Sequence, residues 1–393
     1  MSDPWLTIIG IGEDGLAGLS EASRKALDEA ETVFGGERHL ALADVGSRGR
    51  PWPVPFNADA VLSCRGRPTV ALASGDPFWH GAGASLTEKI GSDEWTAHPA
   101  PSTFSLAAAR LGWRLEATTC IGLHAAPFER LVTHLVRDAR IICLMRDAAA
   151  VGDLAKWLTE RGWGASLMWT LEALGGPREY IDQHRVDLFA EEVSANLVAV
   201  AVLARGTQGI PRSSGLPDDL FVHDSQITKR PVRALALSAL APRPGERLWD
   251  IGAGSGSISV EWGLCGGTAI AIEAREDRVA NIRSNAAAFG LSHRITIITG
   301  RAPEALAGLE APDAVFVGGG LDTAMFDAIW SRLAPGTRLV AHAVTLETDA
   351  LLGELHQRHG GELMRVEIAH AGSLGRYRSW EGARPVVQWS AVR

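Results

Sequence analysis

Leu248-Trp249-Asp250-Ile251-Gly252-Ala253-Gly254-Ser255-Gly256-Ser257-Ile258-Ser259 decides the reading of this chain. An apolar strand runs into a turn with glycine at alternate positions, then into the first turn of a helix. Gly252, Gly254 and Gly256 let the backbone turn sharply and leave no Cβ between it and a ligand. The helix that follows presents its N-terminal N–H groups to whatever lies over the turn. Downstream, residues 268–272 form a second apolar strand that ends in Glu273. An acid about 20 residues past a glycine turn, at the end of the second strand, suits a ribose diol. The stretch therefore predicts a site for a nucleoside-bearing cofactor.

Spacing bears on which cofactor. The dinucleotide fingerprint is G-x-G-x-x-G, whereas this loop is G-x-G-x-G with Asp250 just ahead of it. The run resembles motif I of class I S-adenosylmethionine methyltransferases. That cofactor has no pyrophosphate to seat on the helix; it carries an ammonium, a sulfonium and a carboxylate. An acid beside the loop can serve its amino group directly or through water. The resemblance implies a seven-stranded Rossmann-like sheet over residues 221–393. Periodicity predicts helices at 232–240 and 276–289, the latter stopped by Gly290, and strands at 294–299, 312–317, 338–343, 363–369 and 384–389. The last two strands are read as an antiparallel pair. Cofactor contacts implied in this half are Thr228, Asp250, Gly252, Gly254, Gly256, Glu273, Arg301, Ala302 and Gly318. Gly318-Gly319-Gly320 at a strand's carboxyl end leaves room for a bulky substrate.

The N-terminal half opens with a strand at 5–11 that meets Gly10-Ile11-Gly12-Glu13-Asp14-Gly15. These letters match G-x-G-x-x-G, but the helix begins only after Ser20, an N-cap residue, and no acid closes a second strand. A dinucleotide site is rejected. Residues 32–40 read as a strand with a glycine pair, and 67–74 as a third strand ending in Ser74-Gly75-Asp76-Pro77. Pro101-Ser102-Thr103 leads into a helix at 105–111. Strands are expected at 141–145 and 196–203, with a helix at 151–161 and a lobe boundary near 115–119. The ordered set resembles the tetrapyrrole methylase family over roughly residues 5–205, with Glu13-Asp14 standing where that family has Gly-Pro. The resemblance implies two α/β lobes and S-adenosylmethionine near Gly75, Asp76, Pro77, Ser102 and Thr103. Asp76 also reads as a turn residue, and His124 as a loop histidine or a catalyst.

The expected domains are 1–205 and 221–393, joined by a Gly-, Pro- and Ser-rich linker at 206–220. Of 393 residues, 46% are hydrophobic and 21% charged, which are globular values. A net charge of −8 with no basic run argues against nucleic-acid partners. Cys64, Cys120, Cys143 and Cys265 form no C-x-x-C pair, which argues against zinc and disulfides and fits a reducing cytoplasm. No signal peptide or membrane span is expected. His356 and His359 share a helix face and read as solvated. Lys229, Arg230, Arg233, Arg376, Arg378 and Arg384 read mainly as surface charge, with some as anchors for a polycarboxylate.

Gln226-Ile227-Thr228-Lys229, the glycine loop, Ala302-Pro303-Glu304-Ala305-Leu306 and the glycine triplet together resemble the corrin-pathway methyltransferases that also decarboxylate. The resemblance implies a tetrapyrrole substrate, methylation of meso carbons 5 and 15, and loss of one acetate carboxyl as carbon dioxide. It implies homo-oligomers, names no catalytic residue and calls for no metal. Competing readings are a methyltransferase for another small molecule or RNA, a cobalt-bearing substrate, and a non-enzymatic tetrapyrrole carrier.

Overall fold

The computed structural model describes residues 4–190, 193 and 198–393. The chain divides into two compact units. One holds residues up to Phe128 together with His134–Gln208; the other holds Glu129–Thr133 and Gly209–Arg393.

The first unit is built on two sheets. β1 (Leu6–Ile11), β2 (Thr32–Gly35), β3 (Gly49–Pro51), β4 (Thr69–Ser74) and β5 (Trp95–His98) form an all-parallel sheet in the order β3-β2-β4-β1-β5. Parallel strands buried on both faces read as continuous apolar runs, and β1 does so. Leu6 and Ile8 pack with Phe34 and Ala71 on one face, Ile9 and Ile11 with Val33 and Leu72 on the other. β6 (Thr118–Gly122), β7 (Arg140–Leu144), β8 (Leu167–Glu172), β9 (Tyr180–Arg185) and β10 (Val198–Leu203) make the second sheet, ordered β6-β7-β10-β8-β9. Only β6 and β7 in it run parallel. Asn196 and Leu197, expected in the last strand, lie outside the described residues.

Two local expectations change. Residues 32–40 are not one strand: the Gly35-Gly36 pair ends β2, and Glu37–Leu42 is helical, with Glu37 at its positive end. The helix expected from 105 begins at Thr103, because Ser102 caps it, its Oγ accepting from the Ser105 N–H at 3.1 Å.

The second unit has β11 (Arg247–Ile251), β12 (Thr268–Glu273), β13 (Ile295–Thr299), β14 (Ala314–Val317), β15 (Arg338–Ala343), β16 (Glu362–Val366), β17 (Ala369–Leu374), β18 (Tyr377–Gly382) and β19 (Val386–Val392). Seven of these form one sheet, ordered β13-β12-β11-β14-β15-β19-β16. β19 runs antiparallel to both neighbours and the rest are parallel. Alternation again sorts two cores: Leu248, Ala314, Phe316 and Val340 face one side, and Trp249, Val315, Val317 and Leu339 the other. β17 and β18 form a separate hairpin that the sequence reading lacked.

From Gly209 onward the segment expected as a linker belongs to the second unit, and parts of it pack there. Leu216 is 1% exposed and joins the core with Leu240 and Trp262. The Glu261 carboxylate accepts from the Gly215 N–H at 2.6 Å and the Leu216 N–H at 2.9 Å. Two isolated apolar anchors, Ile210 and Leu216, among glycines, prolines and serines left too weak a pattern to read.

Candidate active sites

In the first unit, β4 and β5 flank β1 and all run parallel, so their carboxyl ends share an edge. The three turns expected to matter meet there. The Gly75 N–H donates to the Ile11 carbonyl, and the Ala100 N–H to the Gly75 carbonyl, each at 3.1 Å. A Cβ on Gly10 would collide with the Gly75 carbonyl oxygen, so only glycine permits this approach. Beside the junction lies a cavity of about 310 Å³, at the low end for ligand sites. Gly75, Ser102 and Thr103 line it.

Asp76 and Pro77 are absent from the cavity's lining. Asp76 instead closes a local turn, Oδ1 accepting from the Phe78 N–H at 2.9 Å, and the Pro77 carbonyl accepts from the Gly83 N–H. The turn-residue reading of Asp76 is the one this geometry carries.

Several lining groups were missed. Glu13, which departs from the family pattern, is 9% exposed and paired with Arg38. Arg38 also donates to Ser74 Oγ at 3.0 Å and His39 Nε2 at 2.9 Å. Burial, and then the Arg38 charge, hold His39 down to about 4, so its neutral ring can accept. Trp79 packs on Phe104 with ring centroids 4.8 Å apart, and His80 and His124 complete that wall. His124 was the one of these that the sequence had raised as a loop histidine or a catalyst; for Trp79 and His80 the signal was the Phe78-Trp79-His80 run after Gly75-Asp76-Pro77.

In the second unit the glycine loop leaves the carboxyl end of β11. Gly252, Gly254 and Gly256 have φ of +69°, +59° and +72°, a region that disfavours side chains. Among the described residues, nothing beyond its chain neighbours lies within 4 Å of where a Cβ on Gly252 would stand. Gly318, after β14, is beside it: a Cβ there would be 3.4 Å from the Gly252 carbonyl oxygen. The Gln226 carbonyl reaches the Gly254 side of the loop, and Thr228 is half-buried two residues on. Arg301 is exposed and Ala302 half-buried, beyond the end of β13.

Both loop acids have structural partners. Asp250 is 1% exposed; its Oδ2 accepts from Ser259 N at 3.1 Å and Ser259 Oγ at 2.6 Å, satisfying an N–H in the first turn of the helix Ser257–Leu264. Its Oδ1 has no partner among the described residues, and burial pushes the carboxyl up to about 6, with Glu273 adding to the rise. Glu273 is 5% exposed; its oxygens accept from Gly254 N at 2.9 Å and Arg275 N at 3.0 Å. A carboxylate has about four acceptor sites, so Glu273 keeps capacity for a ribose hydroxyl while shaping the loop. The open side of Gly252 and the unpartnered Asp250 oxygen fit a polar ligand that carries donors, as S-adenosylmethionine does.

Two expectations about charge are corrected. Arg233 is not surface charge. It is fully buried, donating to Glu261 at 2.6 Å, Asp218 at 3.0 Å and the Thr228 carbonyl at 2.5 Å. His359 is only half-solvated, since its ring also packs on Trp330 at 4.7 Å and Phe326 at 5.2 Å.

A family model described as tetrapyrrole (corrin/porphyrin) methylases matches residues 5–187, and one described as a precorrin methyltransferase domain matches residues 219–393. A Sinorhizobium sp protein named precorrin-6Y C(5,15)-methyltransferase (decarboxylating) is 46% identical, the alignment covering 98% of this chain and 96% of that protein. A Mycobacterium tuberculosis protein of the same name is 41% identical, with coverage of 99% and 100%. A Pyrobaculum calidifontis protein named probable cobalt-precorrin-6B C(15)-methyltransferase (decarboxylating) is 37% identical over 183 residues, covering 44% of this chain and 92% of that protein. With both full-length relatives aligned almost end to end, the chain belongs to the precorrin-6Y C(5,15)-methyltransferase (decarboxylating) family.

Proposed function

We propose that this chain methylates carbons 5 and 15 of reduced precorrin-6 (precorrin-6B) and removes the carbon-12 acetate carboxyl as carbon dioxide, giving precorrin-8. S-adenosylmethionine supplies a methyl group already activated on its sulfonium. Residues 1–205 methylate carbon 5; residues 221–393 methylate carbon 15 and decarboxylate, with 206–220 between them. The observation that carries this reading is the pair of separate glycine-turn sites, one at Gly10 and Gly75 and one at Gly252 to Gly256, each outside the carboxyl ends of parallel strands. Two sites in one chain suit two methylations. The Pyrobaculum calidifontis relative, matched over 183 residues, has carbon-15 methylation and decarboxylation in one name, which supports assigning both to one unit.

Meso carbons of a reduced macrocycle are nucleophilic enamine carbons, so the protein's main task is alignment. In the first unit, Gly75, Ser102 and Thr103 face the cofactor. In the second, Asp250 and Glu273 fix the loop, Gly252 leaves the approach open, and Thr228, Arg301, Ala302 and Gly318 border the cofactor. The macrocycle itself serves as electron sink for decarboxylation. We also read the protein as a homo-oligomer, supported by Leu374, Tyr377 and Trp380 on the hairpin, which are 63%, 65% and 75% exposed. Analytical ultracentrifugation tests that reading, and a monomer at micromolar concentration would refute it.

The test of function is product mass spectrometry on full-length protein with one site blocked at a time. Thr103→Tyr fills the first cavity, and Gly252→Val obstructs the second loop. Unaltered protein should add two methyls and lose one carbon dioxide. The Thr103→Tyr product should lack only the carbon-5 methyl, and the Gly252→Val product should carry only that methyl. Both methyls surviving either block would overturn the assignment.

A further inference from the structure

Methylation at a meso carbon has a proton balance that no residue has yet been given. The carbon starts with one hydrogen. Its double-bond electrons form the new C–CH3 bond as the donor S–CH3 bond breaks, leaving the macrocycle with one extra positive charge, held as an iminium. The conjugated system is restored only when the C–H bond breaks, its electron pair re-forming the double bond and its proton leaving. A site that performs this step gains from a nearby base.

Among the residues lining the first unit's cavity, the ionisable groups are Glu13, Arg38, His80, His124 and Arg146. Glu13 is committed to Arg38, and the arginines are permanent cations. The two histidines remain, and the backbone is arranged around them. His80 has φ +58°, a left-handed conformation that is uncommon outside glycine and concentrates at functional sites. Both rings sit over Gly122 at the end of β6. A Cβ there would be 3.0 Å from His124 Cε1 and 3.3 Å from His80 Cε1, so the missing side chain makes the seat for both. The rings meet edge to face with centroids 6.0 Å apart, and Phe104 backs His80 at 6.0 Å.

We propose that His80 and His124 form the proton-accepting pair of the first cavity, one imidazole taking the proton released by the methylated meso carbon. The proposal rests on the carbon-5 assignment above. Burial, then the neighbouring His124, lower the His80 pKa, so His80 is neutral and able to accept near pH 7. Gly122 acts as a positioning residue for both rings.

The experiment uses full-length protein with His80→Gln, His124→Ala and the double variant. Carbon-5 methylation is followed by mass spectrometry across pH, with S-adenosylhomocysteine affinity as the check on the cavity. The double variant should slow carbon-5 methylation about 100-fold, the scale of a lost general base. Its acid limb in the pH profile should disappear, S-adenosylhomocysteine affinity should stay within twofold, and added imidazole should restore part of the His124→Ala rate. Gly122→Ala should lower kcat with KM unchanged. A double variant with the unaltered rate and pH profile would overturn the proposal, and so would a slowed variant that loses S-adenosylhomocysteine binding and resists rescue. Failure of the assignment itself is separate: carbon-5 methylation would then persist in Thr103→Tyr.

Discussion

Replacing Arg233 with alanine should destabilise the second unit far more than an ordinary charge deletion. The side chain is 0% exposed and its partner Glu261 is 4% exposed, with the guanidinium Nε 2.6 Å from a Glu261 oxygen. Removing one member of a buried pair strands the other, at a cost of about 3–5 kcal/mol. Glu261 would keep the Gly215 and Leu216 N–H donors, which places the expected loss near the lower end, about 3 kcal/mol. Adding Glu261→Gln removes the stranded charge but keeps an acceptor, so the double variant should recover about 2 kcal/mol of that loss. Urea unfolding read by hydrogen exchange at β11 and β14 amides reports this unit alone. The Thr228 carbonyl also loses its Arg233 donor, so S-adenosylmethionine affinity should fall in the single variant. A cost under about 1 kcal/mol, the range of an exposed pair, or no recovery on adding Glu261→Gln, would refute the reasoning.

Asp250 carries a pH signature. Burial raises its folded pKa from the ordinary carboxylate range to about 6, so its contribution is fully present below about pH 4 and lost as pH rises through 6. Asp250→Asn should remove that dependence, worth roughly 3 kcal/mol across the window; parallel stability curves for the two proteins would contradict it. Gly256→Ala and Gly252→Ala should separate stability from binding. A Cβ on Gly256 would lie 2.9 Å from Ile282 Cγ2 and should cost about 2–3 kcal/mol. Gly252→Ala meets no protein atom and should cost only about 1–2 kcal/mol of backbone strain while weakening S-adenosylmethionine by calorimetry. His359→Ala should cost about 1 kcal/mol through lost ring contacts, measured by urea melts; no change would return it to the solvated face.

What the sequence could show was local. The glycine loop was legible because each of its three glycines stands at positive φ, a demand that only a few residue types meet. β15 was legible to the residue because both its faces are covered, so all but Arg338 is buried and only His342 breaks the apolar run. The hairpin of β17 and β18 was not, since nearly every residue in it is exposed and neither face imposes a pattern. Pairings at a distance were also hidden. Glu13 reads as a defect until Arg38, twenty-five positions on, neutralises it. Arg233 reads as surface until Glu261 and Asp218 are seen around it. Nothing in the letters of His80 announces a left-handed backbone.

On the proposed division of labour, proton balance accounts for imidazoles lining one site while the acids of the other hold a loop. Methylation at carbon 5 exchanges a proton for a methyl, so one proton leaves per turnover. Methylation at carbon 15 also expels a proton, but losing carbon dioxide from a carboxylate arm leaves a carbanion equivalent that takes one up. On the division of labour proposed above, the second site is proton-neutral overall, and the histidine pair lies in the site assigned the net release. Asp250 and Glu273, both bonded to backbone amides, can stay fixed throughout. A weakly buffered assay with a pH indicator, swept with nitrogen to remove carbon dioxide, measures the difference. Full-length protein with only the first site working, as in Gly252→Val, should release one proton per methyl transferred. With only the second working, as in Thr103→Tyr, the net should be zero. Equal release from both variants would show that decarboxylation and carbon-15 methylation are not coupled in one site, and the division of labour between the units would have to be redrawn.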